Sequence, residues 1–160
     1  MTIQTADLCD EHGDKVRVVA PMGFRSLGGR PDLGGPITTL KAFEDNALVR
    51  SALEEPGQGR VLVVDGGGSM RCAMVGDQLA KLGVDNGWAG IVVYGCIRDS
   101  AAISGMDIGV FALGTHPRKT VKRGIGERDV PVSFGGQTFV PGQFIYADAD
   151  GLILSDTGLL

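Results

Sequence analysis

The sequence predicts one compact α/β domain with mixed sheets over residues 1–160. Three observations carry this. "RVLVVDGGG" and "GIVVYGC" are β-branched runs bounded by glycine, the pattern of strands buried on both faces. Helix-periodic segments lie between such runs, giving a β-α-β-α-β order and a largely parallel core with right-handed crossovers. After "THPRKTVKRGIGERD" the chain changes to short strands joined by Gly and Pro turns, which predicts an antiparallel portion closing over that core.

Taken in order, "TADLCDEH" reads as a short N-terminal helix, and "VRVVA" and "ITTLKAF" as strands. "EDNALVRSALEE" has helical spacing in Ala47, Leu48 and Leu53, with acids at its start that suit the helix dipole. "RVLVVDGGG" follows as a strand, then "MVGDQLAKLGVDNG" as a helix with Leu79 and Leu82 on one face. "GIVVYGC" is the next strand, "RDSAAISG" opens a short helix and "DIGVFAL" returns to strand. "VPVSF", "QTFVPGQFIYAD" and "GLILS" supply the closing strands.

Bulk composition narrows the function. Hydrophobic residues at 43% and charged residues at 21% suit a soluble domain that folds without disulfide or metal. A net charge of −4 argues against a general nucleic-acid binder, which would carry a basic face. Cys9, Cys72 and Cys96 form no CxxC, so neither a disulfide framework nor a zinc site is expected, and a reducing cytoplasm is the simplest compartment. Cys96 is expected as a small buried hydrophobe. "MTIQTADLCDEHGD" lacks a basic n-region and an apolar h-region, so no signal peptide is expected. No run approaches the ~18 apolar residues of a membrane span.

Four stretches could carry chemistry. "DGGGSM" fails the dinucleotide and phosphate-loop patterns, and reads as a tight turn whose N–H groups could still approach an anion. In "VGDQLA", Asp77 could cap the following helix, and the free N–H groups of that helix start could bind a carboxylate; the two are compatible. "CIRDS" places Arg98 and Asp99 at the carboxyl end of a buried strand, where α/β sheets bind ligands. A guanidinium suits a carboxylate, and one Asp suits Mg²⁺, which keeps several waters. "THPRKTVKR" reads as a solvated basic loop, or alternatively as a contact for a neighbouring subunit or acidic partner. No G-x-S-x-G is present, and His12 and His116 form no ligand pair.

Asp77, Arg98 and Asp99 read D-X20-R-D, with twenty residues between Asp77 and Arg98. With "FEDNALV", "VLVVDGGGS", "GDQLA", "GCIRD", "HPRK", "GERDVPV" and "YAD-DG", the chain resembles the regulator of ribonuclease activity A family over roughly residues 4–155. The resemblance implies a swivelling phosphohistidine-domain-like β/β/α fold and a homotrimer. Members with this pattern are similar to divalent-metal-dependent 4-hydroxy-4-methyl-2-oxoglutarate aldolases, which release pyruvate and also decarboxylate oxaloacetate. Carried over, Arg98 binds the pyruvyl part and Asp99 anchors the metal, Mg²⁺ or Mn²⁺. Gly76, Asp77, Gln78 and Leu79 give backbone donors to the substrate carboxylate, and Asp77 orients a water.

The chemistry agrees with these residue types. Retro-aldol cleavage and β-keto acid decarboxylation share a pyruvate enolate, which needs a Lewis acid and a fixed cation. A Schiff-base route needs an activated Lys. Lys15, Lys41, Lys81, Lys119 and Lys122 do not end strands beside the expected site, which favours the metal route. The alternative function implied by the resemblance is a protein inhibitor of the degradosome endoribonuclease, ribonuclease E, acting without RNA contact. The intact Asp77, Arg98 and Asp99 set favours the enzyme. A methyltransferase, a label also carried in the family, ranks lowest because no nucleoside fingerprint with a ribose-binding acid is present.

Overall fold

The structure is a computed structural model and describes residues 2–160. Helix α1 (Thr5–His12) and a 3-10 turn lead to β1 (Arg17–Val18), β2 (Arg25–Ser26) and β3 (Leu33–Lys41). Then come α2 (Ala47–Leu53), β4 (Val61–Asp65), β5 (Ala73–Val75), α3 (Asp77–Asp85) and β6 (Gly90–Ile97). After α4 (Ser100–Ile103) and β7 (Gly109–Thr115), the chain ends in β8 (Glu127–Arg128), β9 (Val132–Phe134), β10 (Gln137–Phe139), β11 (Phe144–Asp148) and β12 (Gly151–Ser155).

Ten strands form one sheet along β1-β12-β11-β3-β4-β6-β7-β2, with β5 beside β6 and β8 beside β3; β9 and β10 make a separate ribbon. The centre is parallel as expected: β3 with β4, β4 with β6, and β6 with β7. The flank of β1, β12 and β11 is antiparallel. Strand β3 serves both parts, because its first residues pair with β11 and its later ones with β4.

Period-2 alternation divides the core into two layers. Leu62 and Val64 of β4 face α2 and α3, packing with Val49, Leu53, Leu79 and Ala80. Val61 and Val63 face the other way, toward Phe111, Phe134, Phe139 and Ile145. The rings of Phe134 and Phe139 stack within the β9–β10 ribbon, centroids 4.2 Å apart, and Tyr94 of β6 stacks on Phe134 at 4.8 Å, which holds the ribbon over the sheet. Sheet buried on both faces explains why β4 reads as an unbroken apolar run. The layers are therefore β/β/α.

Several elements differ from the sequence expectation. β1 keeps only two residues of "VRVVA", and β3 begins four residues before "ITTLKAF". The buried face of α2 is Val49, Ala52 and Leu53, with Ala47 and Leu48 only partly covered. Leu82 of α3 is also only partly buried, while Leu79, Ala80 and Gly83 are covered. The first residues of "MVGDQLAKLGVDNG" are not helical; they form β5. All three cysteines are free, and Cys96 is fully buried, which pushes its thiol pKa up. Among the described residues, no helix is long and apolar enough to cross a membrane.

Candidate active site

The D-X20-R-D spacing is the length of one strand-to-strand crossover. Val75 ends β5 and Ile97 ends β6, and the two are parallel partners. The twenty intervening residues are spent on most of α3, a turn and β6, after which the chain returns to the same sheet edge. Gly76–Asp77 and Arg98–Asp99 are thus delivered side by side at the carboxyl ends of adjacent parallel strands. A hydrogen bond from the Arg98 N–H to the Val75 carbonyl, 2.9 Å, fixes the junction.

Asp77 is the first residue of α3, not its cap. The N-cap is Gly76, and the oxygen that caps the helix comes from the other strand: the Asp77 N–H donates to Asp99 Oδ2 at 3.0 Å. Asp99 itself sits in the left-handed region, φ 56° and ψ 38°, and its carbonyl accepts from the Ile103 N–H to start α4. An Asp tolerates that conformation better than most residues. Gly76 is required by proximity. A Cβ there would lie 2.9 Å from Asp99 Oδ2 and 3.4 Å from Arg98 Nε.

What remains open is a set of donors and one carboxylate. Among the described residues, the N–H groups of Gln78 and Leu79 have no acceptor, as expected for a first helical turn. The Arg98 guanidinium is half-buried and makes no ion pair or hydrogen bond within the described chain, so the adjacent Arg98 and Asp99 are not a salt bridge. These groups line one polar cavity of about 130 Å³ together with Asp77, Asp99 and four polar residues the sequence reading did not place there: Asn46, Arg50, Lys119 and Lys122.

The two lysines correct an expectation. They arrive on the 116–126 segment, whose backbone is strapped back across the strand ends while the lysine side chains stay exposed. The His116 N–H donates to Ile97 O, and the Ala73 N–H to Arg118 O. Thr120 Oγ1 donates to the buried Asn46 Oδ1 at 2.8 Å. The Arg123 and Ile125 N–H groups donate to Asp45 Oδ2 at 2.8 and 3.1 Å. Burial pushes the Asp45 carboxyl pKa up, but the N–H donors from Ala47, Ile125, Arg123 and Gly124 outweigh it and hold the pKa below its ordinary value. Asn46 is held from the other side as well, donating to Met74 O of β5 at 3.1 Å.

The glycine turn does not act as an anion nest. The Gly66 and Gly68 N–H groups both donate to Tyr94 O, and Gly67 N–H to Asp65 Oδ1. All three donors of "DGGG" are used within the fold. The two histidines are not brought together at this site either; His116 Nδ1 accepts from the Arg118 N–H in its own turn.

The donor chemistry suits a hydrated divalent cation more than a caged one. Among the described residues no cluster of three or more His, Cys, Asp or Glu side chains exists. Asp99 is exposed, uses Oδ2 on the helix start and leaves Oδ1 open, with the Asp77 carboxylate on the same cavity. One or two carboxylates with water and substrate oxygens is the usual protein share of a Mg²⁺ site.

Comparison with known proteins finds relatives along nearly the whole chain. The family model RraA-like, described as Aldolase/RraA, matches residues 5–154. A protein of Aromatoleum aromaticum named "Putative 4-hydroxy-4-methyl-2-oxoglutarate aldolase" is 66% identical over 160 residues, covering 100% of both chains. A Geobacillus kaustophilus crystal structure described as an S-adenosylmethionine: 2-dimethylmenaquinone methyltransferase is 51% identical with a TM-score of 0.94, covering 98% of this chain and 97% of that one. A Thermus structure described as the RNA-processing inhibitor RraA is 47% identical with a TM-score of 0.92, covering 98% and 94%.

Proposed function

The chain belongs to the RraA-like family, and on that premise we propose that it is a 4-hydroxy-4-methyl-2-oxoglutarate aldolase, a carbon–carbon lyase that releases pyruvate. One observation carries the reading. An unpartnered guanidinium, two unpartnered helix-start N–H groups and two carboxylates converge on one cavity at the ends of β5 and β6. That set recognises a 2-oxo acid and manages a proton. It has no evident use in a protein that only docks.

In this site Arg98 takes the carboxylate of the pyruvyl end, where a bidentate guanidinium fixes orientation as well as charge. The Gln78 and Leu79 N–H groups add donors at the positive end of α3. Asp99 would hold a divalent cation, Mg²⁺ or Mn²⁺, which when bound supplies a Lewis acid for the 2-oxo oxygen. Asp77 holds a water that accepts the C4 hydroxyl proton. The C3–C4 bond then breaks, its electron pair forming the enolate of pyruvate, while C4 becomes the carbonyl of a second pyruvate. Protonation at C3 completes the first. Oxaloacetate would lose CO₂ through the same enolate, with Arg98 in the same role.

We further propose a homotrimer, and a second role favoured by the likeness to the Thermus RraA structure: binding and inhibiting a ribonuclease E-type enzyme without RNA contact. The methyltransferase label of the Geobacillus relative finds no support in the residues here, since the glycine turn offers no free N–H groups to a nucleoside cofactor.

The test is pyruvate release from 4-hydroxy-4-methyl-2-oxoglutarate and from oxaloacetate, with Mg²⁺ or Mn²⁺ and with a chelator. Asp99→Asn is the informative variant, because Asn accepts the left-handed backbone and keeps an oxygen for the Asp77 N–H. Arg98→Ala and Asp99→Asn are each expected to lower kcat/KM by about 10²-fold or more. A wild-type protein that is folded, metal-loaded and inactive on both substrates would overturn the aldolase.

A further inference from the structure

We propose that Lys119 and Lys122 form a second carboxylate subsite, opposite Arg98, that makes the site selective for 2-oxo dicarboxylic acids. The inference rests on the aldolase reading and assigns the distal half of its substrate.

The placement of the lysines is built, not incidental. β5 has two edges. On one it pairs with β6, Ala73 opposite Cys96, which brings in Arg98 two residues later. On the other it bridges Lys119, again at Ala73 and again parallel. Arg98 and Lys119 therefore flank the end of β5 from opposite sides, about two strand spacings, or roughly 10 Å, apart in backbone. Lys119 lies between the anchors at Arg118 O and Thr120 Oγ1; Lys122 lies between Thr120 and the Arg123 N–H held by Asp45. An exposed basic loop left to itself would not be tied down at each step.

The charge is also unbalanced in a way the chain does not resolve. Arg50, Arg98, Lys119 and Lys122 share the cavity with only Asp77 and Asp99, a local excess of two positive charges in a protein of net charge −4. None of the four cations is in an ion pair among the described residues. Like charges held together without counter-ions repel, and an anion entering between them relieves this. Arg98 accounts for one carboxylate. The lysines on the opposite wall call for a second on the same molecule. Cleavage then leaves each product with its own cation: the pyruvyl half on Arg98, and the half formed from C4 on the lysines.

The test compares kcat/KM for 4-hydroxy-4-methyl-2-oxoglutarate with that for 4-hydroxy-4-methyl-2-oxopentanoate, in which methyl replaces the distal carboxylate. Wild type, Lys119→Met, Lys122→Met and the double variant are used, with matched thermal unfolding midpoints. Wild type is expected to favour the dicarboxylate, and that preference to fall about tenfold for each lysine lost. An unchanged preference in the double variant would overturn the subsite. Calorimetric binding of 2-oxoglutarate against 2-oxopentanoate, with Mg²⁺, reads the subsite without turnover. If wild type cleaves neither substrate yet binds the dicarboxylate better through the lysines, the subsite stands and the aldolase falls. If wild type binds the two acids equally, the subsite falls whatever the activity.

Discussion

The backbone N–H of Asp77 donates to Asp99 Oδ2 at 3.0 Å, so two residues 22 apart in sequence form one contact. Helix α3 is capped by the carboxylate of Asp99, two residues beyond the end of β6. This couples the orientation of the α3 start, with its free Gln78 and Leu79 N–H groups, to the orientation of Asp99. Movement in one misplaces the other.

Gly76→Ala tests that coupling. The backbone of Gly76 is extended, φ −118° and ψ −171°, which any residue adopts, so the substitution introduces no dihedral strain. Its cost is contact. The new methyl would sit 2.9 Å from Asp99 Oδ2, and the carboxylate must swing away from the Asp77 N–H. Because the displaced atom is the end of an exposed side chain, the unfolding midpoint should change little, by about 1 kcal/mol of stability or less. Activity should fall by about tenfold or more, since sub-ångström placement of catalytic groups sets rate. Paired melting and kinetic measurements check both. Equal activity with Gly76→Ala would show that Asp99 placement does not limit turnover.

The parallel centre was legible because β4 and β6 are long, β-branched and closed by glycine, signals that need only local sequence. Arg98 and Asp99 were legible for the same reason, since they follow directly from the end of β6. The strap was not. Asp45 holds Arg123 and Ile125 across separations of 78 and 80 residues, and Asn46 holds Thr120 across 74. No periodicity records such contacts. The available signal was "EDN" before a helix, where Asp45 looked like a dipole-stabilising acid. It does cap α2 through the Ala47 N–H, 3.0 Å from Oδ1, but its other oxygen serves the strap. β2 and β8 were missed because two-residue strands carry no alternation.

The nearness of Lys119 and Lys122 to the cavity reopens the Schiff-base route, and the structure argues against it on environment. An amine nucleophile is activated by desolvation in an apolar pocket or by a neighbouring cation; the cavity supplies cations in Arg50 and Arg98, but its polar lining supplies no apolar pocket. Both lysines are exposed. Incubation with pyruvate and sodium borohydride, followed by intact-protein mass measurement, should therefore leave the mass unchanged under conditions that support turnover. A stoichiometric pyruvate adduct mapped to Lys119 or Lys122 would replace the metal route with imine chemistry.

Asp45 gives a pH dependence whose sign is fixed. Its folded pKa lies below the ordinary 3.8, because the backbone donors outweigh burial. A depressed carboxyl stabilises the fold at pH values above its unfolded pKa, and that contribution is lost as pH falls from about 3.8 through the folded pKa. Asp45→Asn removes the charge and should cost about 2 kcal/mol near neutral pH, the worth of hydrogen bonds to a buried charged group. The gap in unfolding midpoint between wild type and Asp45→Asn should then be constant from about pH 7 down to pH 5, narrow as pH falls below about 3.8, and close only once pH has passed the lower folded pKa, where folded wild-type Asp45 is itself neutral. The same variant loosens the segment carrying Lys119 and Lys122 without touching the Arg98 wall. It should raise KM for the dicarboxylate more than it lowers kcat. A KM left unchanged, alongside the predicted loss of stability, would show that Asp45 holds the fold but does not position the lysines.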